Sequence, residues 1–537
     1  MKKRLLTALL SGALILTALA GCGQVAENQS GANDASAGGE SGARDELIFV
    51  NYRDIRDLNP HLYAGEMYAQ SILYDTLVSN TREGYVGCLA EDWTISEDGR
   101  TYTFNIRDGV TFSDGTPCDA NAILANFNAI LENRERHTWL EMMNLLVGVS
   151  APDEDTFVIE MSEPYYPMLT ELACIRPFAM ISPNCMIDGS TMNGVNGYIG
   201  TGPYVLTDFV TDEYAVFERN ENYWGEAPAI QKITVKVIPD NQTRIMALEN
   251  EEIDLIFGKN MLDADAISQY VDSDRFTVSL SDPTSTRHIV LNTTHDILGD
   301  TAVRKALQHA TNRQAISEGI FYGLEPAADT LYSPTVPYCD VDLEPYAYDT
   351  DEAARLLDEA GWVMGSDGGR SKNGQKLELD LLYNSDSVTE KTISEYLQSE
   401  YLKLGISLNI HGEEEQSYRD NMKAGNFDMV FNICWGMPYD PQSSLAAMRA
   451  PVYGDYAAQQ GLEDKAEIDQ AITDILTSTD EAERQELYDF VLTRLHEDAV
   501  YIPLTYETNK ALYTSELKGV HFGTDQYDVD FASMYFE

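Results

Sequence analysis

Two rhythms of apolar residues run along this chain. Period-two alternation predicts a strand over Leu47–Tyr52, a hairpin of Trp93–Ser96 with Thr101–Ile106 turning at Asp98-Gly99, and hairpin strands over Tyr204–Phe209 and Tyr214–Arg219. The 3.6-residue period predicts helices instead. One is Met67–Val78; a second is capped by Asp119, and its apolar positions Ile123, Leu124, Phe127, Ile130 and Leu131 share one face. From about Thr286 longer helices alternate with apolar strands, through Leu377–Tyr383, Val388–Leu404, Ile406–His411 and Phe427–Cys434, which predicts α/β wrapping. Strand signals return at Tyr501–Tyr506 and again after Lys510, so the chain is expected to cross back to its first part before it ends.

The N-terminus follows a different logic. Lys2, Lys3 and Arg4 precede an apolar run from Leu5 to Ala20, the layout of an export signal over residues 1–21. The run closes on Leu19-Ala20-Gly21-Cys22, where small residues admit a peptidase and the Cys22 thiol can take a lipid; the segment resembles a bacterial lipoprotein signal. Residues 22–45 are rich in Gly, Ser, Ala, Asn and Gln without apolar periodicity and are expected to form a flexible tether holding the folded body at the outer face of the membrane. No later stretch reaches 18 uninterrupted apolar residues, which leaves the lipid as the predicted anchor. The remaining chain exceeds the size at which one core keeps growing, so at least two domains with a cleft between them are expected.

Charge narrows the partners. The chain carries 88 acids against 36 lysines and arginines, a formal charge of −52, and loss of residues 1–21, with three bases and no acid, takes it to −55. Nucleic acid and anionic membrane are excluded as partners by that field, and an arginine directed into a pocket within it is placed to hold an anion. Beyond Cys22, the cysteines Cys88, Cys118, Cys174, Cys185, Cys339 and Cys434 form no CxxC pair, so neither a zinc or redox motif nor a particular disulfide is predicted. The eight histidines show no i, i+4 or HxH arrangement and are expected to be structural. GxSxG and HExxH are absent, and an enzyme is not expected.

Three stretches carry candidate binding chemistry. In Asn133–Trp139, Arg136 and Trp139 are spaced to share a helix face, where a guanidinium fork can grip a carboxylate while the indole covers a flat body; the plainer reading is a solvated arginine beside a core tryptophan. In Cys174–Phe178, Pro177 biases Arg176 to an extended backbone, so that its side chain projects from a rigid segment. The third, Trp435-Gly436-Met437-Pro438-Tyr439-Asp440-Pro441, follows a predicted strand at the end where α/β proteins bind ligands. The last two can equally be turn chemistry or core aromatics.

From Asn51 to the C-terminus the chain resembles the family 5 extracellular solute-binding proteins, which feed ABC importers. The resemblance is carried by Leu89-Ala90-Glu91-Asp92-Trp93, Ser113-Asp114-Gly115-Thr116-Pro117, Gly200-Thr201-Gly202-Pro203-Tyr204 and Asn220-Glu221-Asn222-Tyr223-Trp224-Gly225. Within the family, Leu58–Tyr63, Arg136–Glu141, Arg176–Phe178 and Trp435–Pro441 resemble the nickel-binding components of nickel importers. The resemblance implies a two-lobed α/β fold of the periplasmic-binding-protein kind, a Venus flytrap of cluster C type. Its first lobe is discontinuous, residues 46–285 with a return over 506–537, around a second lobe of 286–505. It also implies a monomer that captures nickel as a chelate such as nickel-histidine and delivers it to permease subunits. Arg136 and Arg176 match the arginines that hold the chelator's carboxylates, Trp139 and Trp435 the flanking indoles, Tyr63 and Tyr439 the tyrosines of the pocket wall, and Met67 the methionine near the metal.

One position departs from the family. Its metal-binding histidine falls where this chain has Tyr453. A phenol, with a pKa near 10, is a poor nickel ligand at neutral pH, whereas imidazole suits nickel. Either the chelator fills every position on the metal, or another side chain such as Cys174 takes the place. Dipeptide or oligopeptide binding, and binding of an opine-type metallophore with nickel, cobalt or zinc, are the alternatives on the same fold.

Overall fold

A ten-stranded sheet carries the architecture, seen in a computed structural model that describes residues 44–81, 83–259, 261–434, 441–524, 527 and 529–537. Cys22, the expected signal and nearly all of the tether lie outside the described residues, as do Trp435 and Tyr439. The first part of the chain forms β1 (Glu46–Asn51), α1 (Met67–Leu73), β2 (Ala90–Ile95), β3 (Thr101–Ile106), α2 (Ala120–Glu132), β4 (Leu146–Ser150), β5 (Thr156–Met161), β6 (Tyr204–Val210), β7 (Tyr214–Arg219), β8 (Lys232–Val237) and β9 (Leu255–Phe257). There follow β10 (Phe276–Leu291), β11 (Glu378–Asn384), α3 (Val388–Lys403), β12 (Ser407–Glu413), β13 (Met429–Cys434), α4 (Pro441–Ala447), α5 (Gly454–Gln459), α6 (Lys465–Thr477), α7 (Glu481–Glu497) and β14 (Tyr501–Thr514).

The sheet order is β6-β7-β8-β1-β9-β14-β10-β13-β11-β12. At its centre β10 and β14, of 16 and 14 residues, run antiparallel. Ala511–Tyr513 of β14 pairs with β9, whereas Thr286–Leu291 of β10 pairs with β13, so the two long strands belong to the β1 side at one end and the β11 side at the other. Their register slips between Leu280 and Pro283, between Pro283 and Ser285, and between Arg287 and His288, which loosens the ladder where the strands pass from side to side.

Separate cores form on the two sides. A smaller sheet of order β2-β3-β5-β4 packs on α2, with Phe104, Phe127, Ile130 and Phe157 buried between them. Strand β3 buries alternate residues, Tyr102, Phe104 and Ile106, and α2 buries Ile123, Phe127 and Ile130 under a cap in which Asp119 accepts from the Ala122 amide at 2.9 Å. Each such side chain contributes about 1.5–3 kcal/mol relative to exposure. On the far side Leu291, Leu381, Leu397 and Ile502 form one cluster and Val430, Ile472, Tyr488 and Leu492 another.

The helix expected over Met67–Val78 ends earlier, at Leu73. Tyr74 is extended, and Val78–Thr81 pairs with Gly84–Gly87 as a strand. The stop is tertiary: the Gly200–Gly202 backbone presses on the helix end so closely that a Cβ on Gly200 would lie 2.0 Å from the Leu73 carbonyl oxygen. The two strand signals at Tyr501–Tyr506 and after Lys510 are a single strand. Its polar middle, Glu507, Thr508, Asn509 and Lys510, is buried.

Candidate functional site

Tyr63 is where the first half of the candidate site meets. The loop that carries it is fixed from below: Asn59 donates to the Thr191 carbonyl at 2.9 Å and accepts from the His61 amide at 3.1 Å, and the buried His61 ring meets the Thr191 hydroxyl at 2.9 Å. The Trp139 indole N–H, which can only donate, reaches the Tyr63 oxygen at 2.8 Å. That leaves the phenol proton for His137 Nδ1 at 2.6 Å, and His137 is a neutral acceptor because burial, aided by the Arg136 charge, lowers it to about 4. Burial pushes Tyr63 itself up to about 12; the Trp139 hydrogen bond and the charges of Arg136 and Arg176 act in the opposite direction. Four candidate residues, Tyr63, Arg136, Trp139 and Arg176, are thus brought around one hydroxyl.

Arg136 and Trp139 do not share a helix face, contrary to the expectation from their spacing. Helix α2 ends at Glu132, Arg134–His137 is a 3-10 turn, and Trp139 lies in a turn beyond it. Arg134 tightens this segment by donating to the carbonyls of Met143 at 2.6 Å and Leu146 at 2.7 Å. Trp139 remains 44% exposed, and the exposed Arg136 guanidinium makes no hydrogen bond or ion pair among the described residues. Arg176 differs. It is buried, on an extended backbone (φ −117°, ψ 126°) as Pro177 dictates, and it donates Nε to Gln70 Oε1 at 2.5 Å and Nη2 to the Gly65 carbonyl. Gln70, one turn beyond Met67 on α1, also donates to the Asn59 carbonyl at 3.2 Å. Sequence reasoning missed Gln70, whose one signal was its place on the face that carries Met67.

Met67 lines a cavity of about 190 Å³ together with Ser71, Asp75, Cys174 and Thr524. The buried Cys174 thiol points to the Thr170 carbonyl at 3.6 Å. An adjoining cavity of about 390 Å³ shares Asn80 and Thr524 and extends from Tyr85 and Tyr166, past Ser281–Thr284 of β10, to Tyr338 and Gln442 on the far side. Tyr453 stands immediately before α5, half-buried, and burial holds its hydroxyl above the ordinary 10 although Arg419 acts to lower it. It is therefore protonated at neutral pH. Two residues on, burial pushes Asp455 up to about 6 against hydrogen bonds from Tyr501 and Asn432. Among the described residues no three His, Cys, Asp or Glu side chains are arranged to hold a metal ion.

Residues 84–455 match the model of the bacterial extracellular solute-binding proteins, family 5 (middle region). The chain belongs to that family. It is 42% identical over 494 residues, 91% of this chain and 94% of the relative, to the nickel-binding periplasmic protein of Escherichia coli. Among solved structures it is similar to NikA from Brucella suis in complex with Fe(III)-EDTA, at 42% identity and a TM-score of 0.88, covering 92% of this chain and all of that one. An ABC transporter substrate-binding protein from Sinorhizobium meliloti is 27% identical with a TM-score of 0.79, over 92% of this chain and 100% of its own. The α/β fold is the two-lobed fold of this family. The motifs that mark the family gather around Asp75 rather than around the arginines. Thr201 and the Trp224 indole donate to the Asp75 carboxylate at 2.8 and 2.9 Å, Asn220 donates to the Gly202 carbonyl at 2.9 Å, and the Ser113 amide donates to the Gly200 carbonyl at 2.9 Å. These motifs brace the cavity wall at Asp75.

Proposed function

We propose that the protein captures a nickel chelate, such as nickel-histidine, outside the cell and delivers it to the permease subunits of an ABC importer. The observation that carries this reading is the Arg136 guanidinium, exposed, unpaired among the described residues and acting on the same Tyr63 hydroxyl that Trp139 bonds, in a chain with formal charge −52. A metal wrapped in carboxylate and imidazole donors presents carboxylate oxygens and flat rings outward, and an arginine fork with an indole matches both. The nickel-binding relative and the iron-EDTA complex of a similar protein support the same class of ligand.

On this reading Tyr63, Met67, Arg136, Trp139 and Arg176 act from the first lobe, and Trp435, Tyr439 and Tyr453 from the second. The chelator supplies the metal's donors, since position 453 holds a phenol that stays protonated. Lobe I comprises 46–285 and 506–537 and lobe II 286–505; the register slips in β10 between Leu280 and His288 support a division there. Cys22 carries the lipid, residues 22–45 the tether, the folded body acts as a monomer, and no catalytic step is assigned. Native mass spectrometry tests the ligand. With nickel and histidine present, the protein should gain one nickel together with one or two histidines. Gain of bare nickel, or of a dipeptide in place of the chelate, would overturn the reading.

A further inference from the structure

We infer that Tyr166 is a positioning residue for lobe closure: its ring, carried by the first lobe, caps the buried Arg484 of the second and thereby sets how long a ligand stays in the cleft. Tyr166 lies in the loop after β5, at the rim of the larger cavity. Its amide donates to the Leu476 carbonyl of α6 at 3.1 Å, and its ring centroid is 3.5 Å from the Arg484 guanidinium carbon. The hydroxyl donates to Glu481 Oε1 at 2.7 Å and lies 3.0 Å from the Tyr338 hydroxyl, which also bonds Glu481.

The second lobe builds a socket for this ring. Arg484 is 0% exposed, and its in-plane N–H groups donate to the Ile475 carbonyl, to the Ser478 carbonyl at 3.5 Å, to Gln442 Oε1 at 3.2 Å and, from Nε, to the Tyr338 hydroxyl at 3.4 Å, while no carboxylate lies within ion-pairing distance among the described residues. Only its flat faces remain for further contact, and aromatic rings are what such faces accept. Tyr338 stacks on Tyr488 at 4.9 Å and 3°, with its own ring 5.0 Å from Arg484. It does so from a left-handed backbone (φ 64°), a conformation that a bulky residue keeps only where its surroundings impose it. Every part of the socket belongs to the second lobe, and Tyr166 is the part the first lobe inserts. Opening the cleft withdraws the ring and leaves a desolvated guanidinium uncovered, so the contact favours closure.

The inference rests on the two-lobed binding reading but not on the identity of the chelate, and its test separates the two. Small-angle scattering of the ligand-free protein, with stopped-flow release of nickel in the presence of histidine, is compared among wild type, Tyr166→Ala and Tyr166→Phe. Tyr166→Ala should enlarge the ligand-free radius of gyration and speed release by about tenfold, the scale of a partly desolvated cation–π contact, while the association rate changes little. Tyr166→Phe keeps the ring, loses the hydroxyl bonds, and should fall between. A merely structural residue would lower the unfolding temperature without moving radius or release rate. Wild-type radius and release rate in a folded Tyr166→Ala protein would overturn the inference. Should wild type bind no nickel-histidine, the chelate reading fails, and the scattering comparison alone then decides for or against the closure contact.

Discussion

Glu507→Gln is a demanding test of how the two lobes are joined. The carboxylate lies in the middle of β14 where its register with β10 slips, a crossing between lobes on the proposed division, is 2% exposed, and accepts from Lys259 Nζ, Ser285 Oγ and Arg287 Nη2. Glu325 beside it takes Lys510 at 3.1 Å and the Thr505 hydroxyl at 3.0 Å and lies 3.8 Å from Arg287, so three cations share two carboxylates. Burial alone would raise the Glu507 carboxyl; the charges of Arg287 and Lys259 overcome burial and hold it well below the usual carboxylate range. Glutamine keeps the shape and removes the charge, leaving three cations on one carboxylate. Breaking a buried pair from one side costs about 3–5 kcal/mol, and because the Lys259 and Arg287 side chains retain 19% and 13% exposure the lower end, about 3 kcal/mol, is expected. Urea unfolding at pH 7, followed by probes in each lobe, measures the loss. A depressed acid contributes stability that is present above its unfolded value, about 4.3 for glutamate, and is lost as pH falls below it. The difference between wild type and variant should therefore shrink below about pH 4. A difference under about 1 kcal/mol at pH 7, or one unchanged down to pH 3, would refute the reasoning.

The two arginines should separate by stability. Arg136→Ala is expected to weaken chelate binding roughly ten- to a hundredfold while leaving unfolding free energy within about 0.5 kcal/mol; Arg176→Ala should lose similar affinity and also about 1–3 kcal/mol of stability, because Gln70 and the Gly65 carbonyl lose their donor. Equal stability of the two variants would contradict this assignment. Tyr453→His supplies an imidazole, so native mass spectrometry should find fewer chelator molecules per nickel than in wild type, and an unchanged stoichiometry counts against the role given to position 453. Burial lowers His61 to about 3 and His137 and His288 to about 4, so below pH 6.5 the unfolded chain takes up protons the folded one refuses. Unfolding free energy should fall as pH drops from 6.5 towards 4; a flat profile over that window would show that these rings are not buried and neutral.

What the sequence made legible was whatever its own neighbours decide. Helix α2 is set by the Asp119 cap and a clean apolar period, and it forms as expected. The overrun of α1 past Leu73 was invisible locally because the stop is supplied by Gly200 and Gly202, far along the chain. Strand β10 escaped notice since its first half reads Thr277, Ser279, Ser281 and Asp282, and β14 was split in two because a buried Glu507–Lys510 segment reads as loop until its charge partners are seen. In the site, Arg136, Trp139 and Arg176 stood out through residue type. Gln70, which holds Arg176, and His137, which holds Tyr63, carry no such signal, and Tyr166 and Glu481 meet across 315 residues.

Isothermal calorimetry of the lipid-free protein, titrated with nickel in the presence and absence of histidine, tests the central claim most directly. Tight, saturable binding of nickel only when histidine is present is the result predicted by Arg136, Arg176 and Trp139 meeting a chelate. Nickel alone binding as tightly as nickel with histidine would contradict it, because the protein would then be supplying the metal's donors itself.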